Sequence, residues 1–117
     1  MKVIIAGSRG ITDYLRVKEA VTFSGFHVSS VVSGAAKGVD KLGELWAEEH
    51  NVPCIKMPAD WDTHGRSAGY KRNQDMADVA DACVVVYDGV SKGSKHMIDI
   101  FEKTDKPLFV YYVSQTK

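Results

Sequence analysis

The chain has 117 residues, enough for one domain around a single core, and 44% of them are hydrophobic, as in ordinary globular proteins. Its 15 basic and 15 acidic side chains cancel to zero net charge. That balance speaks against dominant nonspecific DNA binding, which draws on an excess of Lys and Arg, though it leaves room for a local basic site.

The first apolar run, residues 2–6, predicts a short buried strand, and Gly7-Ser8-Arg9-Gly10 follows it directly. Residues 12–23 carry Tyr14, Val17 and Val21 on one helical face, with Thr12 or Asp13 as the N-cap. A β-branched second strand over residues 28–33 leads into Ser33-Gly34-Ala35-Ala36-Lys37-Gly38-Val39-Asp40. Leu42, Leu45 and Trp46 then recur at helical spacing over residues 39–50, and a third strand is expected over 53–57. Residues 59–69 show no clear period, include Gly65 and Gly69, and read as a loop.

A helix over residues 70–80 is expected to turn Met76 and Val79 inward. The run 82–87 is the most strand-like segment, and the polar turn Asp88-Gly89-Val90-Ser91-Lys92-Gly93-Ser94 comes after it. A last helix over 93–103 carries Met97, Ile98 and Phe101, a fifth strand over 108–113 follows Pro107, and residues 114–117 read as a loose tail. Strands and helices alternate, which predicts an α/β fold: one domain over residues 1–117, with a five-stranded, parallel, doubly wound sheet. Strands that are apolar throughout, such as Cys83-Val84-Val85-Val86, fit burial on both faces.

Four polar clusters follow predicted strands, and in such a sheet all four meet at the C-terminal edge. Glycine lets the backbone approach a ligand closely, and a strand, a Gly-rich turn and a helix N-terminus together suit an anion. Arg9, Lys37, Arg66, Arg72, Lys92 and Lys95 are available to that edge. The expected ligand-binding residues are Gly7, Ser8, Arg9, Ser33, Gly34, Ala35, Gly38, Asp40, Arg72, Asn73, Asp88, Gly89, Ser91, Gly93 and Ser94. Gly34 and Gly38 are expected to be the points where backbone approaches ligand, and Arg9 and Arg72 to carry the charge without contributing to the core.

Several of these residues have a plainer structural reading. Arg9 could pair with Asp13 or Asp40, Asp40 could cap the second helix, and Asn73 could bond a loop carbonyl. One of Ser91 and Ser94 suits an N-cap and the other a phosphate oxygen. Trp61 either stacks on a base or covers the crevice, or else anchors its loop on the core, which is the plainer role. His64 could reach a ligand, whereas His27, His50 and His96 read as solvated. Cys54 and Cys83 sit in apolar runs as buried free thiols. No His, Cys or Asp spacing matches a metal site, so no metal is expected. Neither glycine turn matches a P-loop or a dinucleotide fingerprint. The first apolar run is too short for a signal-peptide core and no run approaches membrane-spanning length, so a cytoplasmic location is expected.

Gly7-Ser8-Arg9, the motif from Ser33 to Asp40, Ala59-Asp60-Trp61, Ala68-Gly69-Tyr70-Lys71-Arg72-Asn73 with Met76, and Asp88-Gly89 with Ser91-Lys92-Gly93-Ser94 resemble the SLOG superfamily. The most similar group is the YspA/cpYpsA-related one, and the resemblance runs from Val3 to about Phe101. It implies a Rossmann-like domain that binds a nucleotide or nucleotide-derived ligand as a sensor or carrier, and a homodimer formed through the third or fourth helix. Related branches include LOG-type phosphoribohydrolases, molybdenum-cofactor carriers and the single-strand DNA-binding protein DprA. They supply two alternatives: hydrolysis of the N-glycosidic bond of a nucleoside monophosphate, and single-strand DNA binding. In the hydrolase motif P-G-G-x-G-T-x-x-E the glutamate falls at Met97 here, and a thioether cannot serve as acid or base. Asp60 or Asp88 would then have to supply the carboxylate.

Overall fold

The computed structural model describes residues 1–114. Its elements are β1 (Lys2–Gly7), α1 (Tyr14–Ser24), β2 (Ser30–Ser33), α2 (Val39–Glu49), β3 (Cys54–Lys56), α3 (Trp61–His64), a 3₁₀ turn (Gly65–Ser67), α4 (Ala68–Val79), β4 (Ala82–Tyr87), α5 (Lys92–Glu102) and β5 (Leu108–Tyr112). The five strands form one sheet in the order β3-β2-β1-β4-β5, and every pairing is parallel. The last three residues of the expected tail, 115–117, lie outside the described residues.

The two-residue period of the strands divides the core in two. Val3 and Ile5 of β1, with Val84 of β4, face one way and pack with Val17 and Val21 of α1 and Trp46 of α2. Ile4 of β1 and Val85 of β4 face the other way, onto Met76 and Ala77 of α4 and Met97 and Phe101 of α5. Each of the larger fully buried side chains contributes about 1.5–3 kcal/mol by leaving water. Because β1 and β4 are covered on both faces, they are apolar throughout, whereas the short edge strand β3 is not.

Local signals set the helix ends. Asp13 caps α1 by accepting the Leu15 N–H, and Gly25 ends that helix at φ 72°. Ser91 caps α5 by accepting the Ser94 N–H. Two expectations are corrected. Residues 59–69 are not a loop: Asp60 accepts the Thr63 N–H and starts α3, and helical turns continue into α4. Trp61 to Ser67 are all exposed, so this segment carries no apolar period to betray it. Val79 does not face inward; it is exposed, and Met76, Ala77 and Ala80 carry the inner face of α4. Among the described residues, no helix is long and apolar enough to cross a membrane.

Candidate functional site

The strand order reverses between β1 and β4, and a crevice opens beyond the C-termini of these two strands. Gly7 closes the end of β1, where a Cβ would collide with the Val86 carbonyl and Val39. Above it lies a cleft of about 270 Å³, lined by Ala6, Gly7, Arg9, Ala36, Asp40, Arg72, Asn73, Met76, Ser91, Lys92, Gly93, Ser94 and Met97. Three cations, Arg9, Arg72 and Lys92, face one carboxylate, Asp40. The first two amides of α5, those of Lys92 and Gly93, have no acceptor one turn back in the helix and carry its positive dipole end.

Arg72 is the hub of the cleft. Its Nη1 donates to the Gly34 carbonyl and its Nε to Asn73 Oδ1 at 3.0 Å. Asn73 in turn donates to the Gly93 carbonyl at 3.2 Å and lies 3.1 Å from His96 Nδ1. If Asn73 donates there, His96 is neutral with its proton on Nε2; burial pushes His96 below its ordinary value, which favours that form. Together these bonds tie α4 to the turn after β2 and to α5.

Asp40 is buried, and its Oδ2 accepts the Ala36 N–H at 3.2 Å. It therefore braces the turn before α2 rather than capping the helix, whose N-cap is Gly38 without a side-chain bond. Burial pushes the Asp40 carboxyl up, against the Ala36 N–H and the attraction of Arg72 and Arg9. Arg9 is exposed, and among the described residues its side chain makes no hydrogen bond or ion pair. The expected pairing with Asp13 is absent there; Asp13 lies beside Arg16.

Seven of the expected ligand residues, Ser8, Ser33, Gly34, Ala35, Gly38, Asp88 and Gly89, do not line this cleft, and most of them support it. Ser8 is buried and its Oγ accepts the Asp88 N–H at 3.1 Å, joining the turns after β1 and β4. Ser33 Oγ donates to Glu44 at 2.8 Å and accepts the Ala35 N–H at 3.1 Å. Gly38, at φ 75°, packs against the carbonyls of Ser8 and Arg9, so its missing side chain makes room for backbone of this chain. Asp88 accepts the N–H groups of Val90 and Ser91, with Gly89 at φ 91° completing the turn. Burial alone would raise the Asp88 carboxyl, but these bonds outweigh it and hold it low. Gly34 likewise has Arg72 and Asp40 stacked where a Cβ would be.

A second cleft of about 390 Å³ adjoins the first and shares Arg9, Ala36 and Arg72 with it. Gly34, Ala35, Lys37, Pro58, Ala59 and Trp61 complete it. Trp61 is 53% exposed and does not anchor its segment in the core. Arg66 and Lys95 line neither cleft, and Lys95 pairs with Asp99 at 2.6 Å. His64 lines a third hollow with Asp60 and Lys71. Of the histidines expected in solvent, His27 and His50 are exposed, but His96 is half-buried against Tyr70 and Asn73. Cys83 is buried and Cys54 partly so, both as free thiols. Met76 and Met97, which their apolar spacing assigns to the core and the family resemblance to its motifs, also line the cleft; Met76 lies one helical turn past Arg72.

Fold and cleft define a doubly wound α/β domain whose glycine-rich turns and paired arginines converge at the topological switch point. The chain belongs to the YspA, cpYpsA-related SLOG family, whose model matches residues 1–64. It is similar to the Gene 61 protein of Mycobacterium phage D29, with 34% identity covering 92% of this chain and 93% of that protein. No solved structure matches it.

Proposed function

We propose that the cleft binds a phosphate-bearing, nucleotide-derived ligand, and that the protein acts by holding it, as a sensor or carrier. One observation carries this reading: Arg9 and Arg72 line the same cleft at the N-terminus of α5, and Arg9 has no hydrogen-bonded or ion-paired partner among the described residues. Burial lowers the Arg72 pKa most, against the attraction of Asp40, and Arg9 lowers it further, since two like charges held together cost free energy. A phosphate between them removes that cost and gains charge-assisted hydrogen bonds. Ser94 Oγ donates to Ser91 Oγ at 3.0 Å at the same helix end, which leaves the Ser91 hydroxyl proton to donate to an anion. Asp40, when ionised, accepts from a ribose hydroxyl.

Binding alone is favoured over hydrolysis by the state of the carboxylates: Asp40, the one that lines the first cleft, is buried and held by the Ala36 N–H. Asp60 is engaged as the cap of α3 by Thr63, Asp88 is engaged in its turn by Val90 and Ser91, and neither lines the first cleft. Met97 stands at the cleft wall in place of an acid. A thermal-shift screen with nucleotides, ADP-ribose, NAD and cyclic nucleotides tests the reading. A true ligand at a hundred times its Kd adds about 2.7 kcal/mol, or about 10 °C in Tm for a domain of this size. A flat response across the panel, with no retention of any phosphate compound by equilibrium dialysis, defeats it; release of free base from a monophosphate would make the protein an enzyme.

A further inference from the structure

We infer that the second cleft is a stacking subsite for an aromatic base, with Trp61 as its platform, so that the ligand is a nucleotide lying across Arg9 and Arg72. This rests on the phosphate-binding reading of the first cleft and adds which chemical class fills its neighbour.

Trp61 opens α3, and the tip of its indole lies 3.5 Å from where a Cβ on Gly69 would stand. The tip of the ring thus rests against the first turn of α4. With 53% of the residue exposed, apolar surface remains that no described residue covers. An exposed indole inside a hollow offers a flat apolar face on which an aromatic ring can stack. The surroundings narrow the chemistry further. Pro58 and Ala59 add apolar wall, Lys37, Arg9 and Arg72 are the charged side chains, and no carboxylate lines this hollow. A cationic amine has nothing to pair with here, while a neutral base with a phosphate tail meets an aromatic platform at one end and guanidinium groups at the other.

Size agrees. The first cleft holds about 270 Å³ and the second about 390 Å³, and Arg9, Ala36 and Arg72 line both. The first falls just short of the roughly 300–1,000 Å³ of small-molecule sites, and the two joined fall within it. Phosphate at the end of α5, ribose beside Asp40 and base on Trp61 fill both in order.

The test compares ligands that differ only in the base. The four nucleoside 5′-monophosphates and ribose 5-phosphate are titrated by calorimetry and by tryptophan emission into the wild type, Trp61→Ala and Trp61→Phe. Base stacking on an aromatic side chain tightens binding on the order of ten-fold or more, so at least one monophosphate should bind the wild type that much tighter than ribose 5-phosphate and quench its emission. Trp61→Ala should erase the advantage and leave ribose 5-phosphate affinity and Tm unchanged, and Trp61→Phe should restore part of it. Equal affinity of the wild type for the monophosphates and ribose 5-phosphate overturns the stacking subsite while leaving the phosphate site standing. So does a Trp61→Ala protein that loses both kinds of ligand in equal measure. If neither the monophosphates nor ribose 5-phosphate binds, the subsite falls, and the phosphate reading falls with it only when the wider panel of nucleotides, ADP-ribose and NAD is also flat.

Discussion

Replacing the two cleft arginines one at a time should separate anchoring from ligand binding. Arg72 is half-buried and donates to the Gly34 carbonyl and to Asn73. A hydrogen bond from a charged group contributes about 1.5–3 kcal/mol net. Asn73 is the adjacent residue of the same helix and stays bonded to Gly93, so the bond to Gly34, 38 residues away, supplies most of the loss. Arg72→Ala also removes an attraction that opposes the burial of charged Asp40. The sum is about 2–3 kcal/mol, or about 8–12 °C in Tm at roughly 4 °C per kcal/mol for a domain of this length. Arg9 is exposed and unbonded, so Arg9→Ala should stay within about 0.5 kcal/mol of wild type. Both changes should weaken a phosphate ligand by about 1.5–3 kcal/mol, or roughly ten- to a hundred-fold in Kd. Thermal melts give the stability arm, and calorimetry with a nucleotide found in the screen gives the binding arm. An Arg72→Ala protein that melts with the wild type, or an Arg9→Ala protein that melts as low as Arg72→Ala, refutes the division of roles.

The cleft glycines and Asp40 give two further expectations. A Cβ on Gly34 would lie 2.5 Å from Arg72 Nη1 and 2.8 Å from Asp40 Oδ2, whereas one on Gly93 meets nothing within 4 Å. Gly34→Ala should therefore cost about 1–3 kcal/mol by overpacking, and Gly93→Ala in α5 should gain up to about 1 kcal/mol of helix propensity; urea midpoints that move together would contradict this. Asp40 has its folded pKa raised above the ordinary 3.8, chiefly by burial. Its contribution is therefore fully present below that value and is lost as pH rises from there through the folded pKa. The stability of wild type relative to Asp40→Asn should fall over that window and then level off in urea titrations from acid to neutral pH, and a rising difference would overturn the assignment.

The periodicity of the chain is enough to order its elements, because period is a local property. Val84 and Val86 alternate with Cys83 and Val85 in a strand that can only lie in the middle of a parallel sheet, and that strand spans the six residues expected. Once the sheet is parallel, the polar turns after β1, β2 and β4 must reach one edge, so the position of the cleft and the presence of Arg9, Arg72 and Ser91 beside it are already in the sequence. What the sequence leaves open is which members of each turn face the cleft and which brace it. Ser8 meets Asp88 across 80 residues and Arg72 meets Gly34 across 38, and such bonds depend on how the crossovers bring the turns together. Local pattern has no term for that distance, so Ser33, Gly38 and Asp88 read as ligand residues until the fold shows them bonded to the chain itself. Trp61 is the converse: its type announces a core anchor, and only the tertiary structure, which sets the tip of its indole against Gly69 and leaves the residue 53% exposed, places it at the wall of the second cleft.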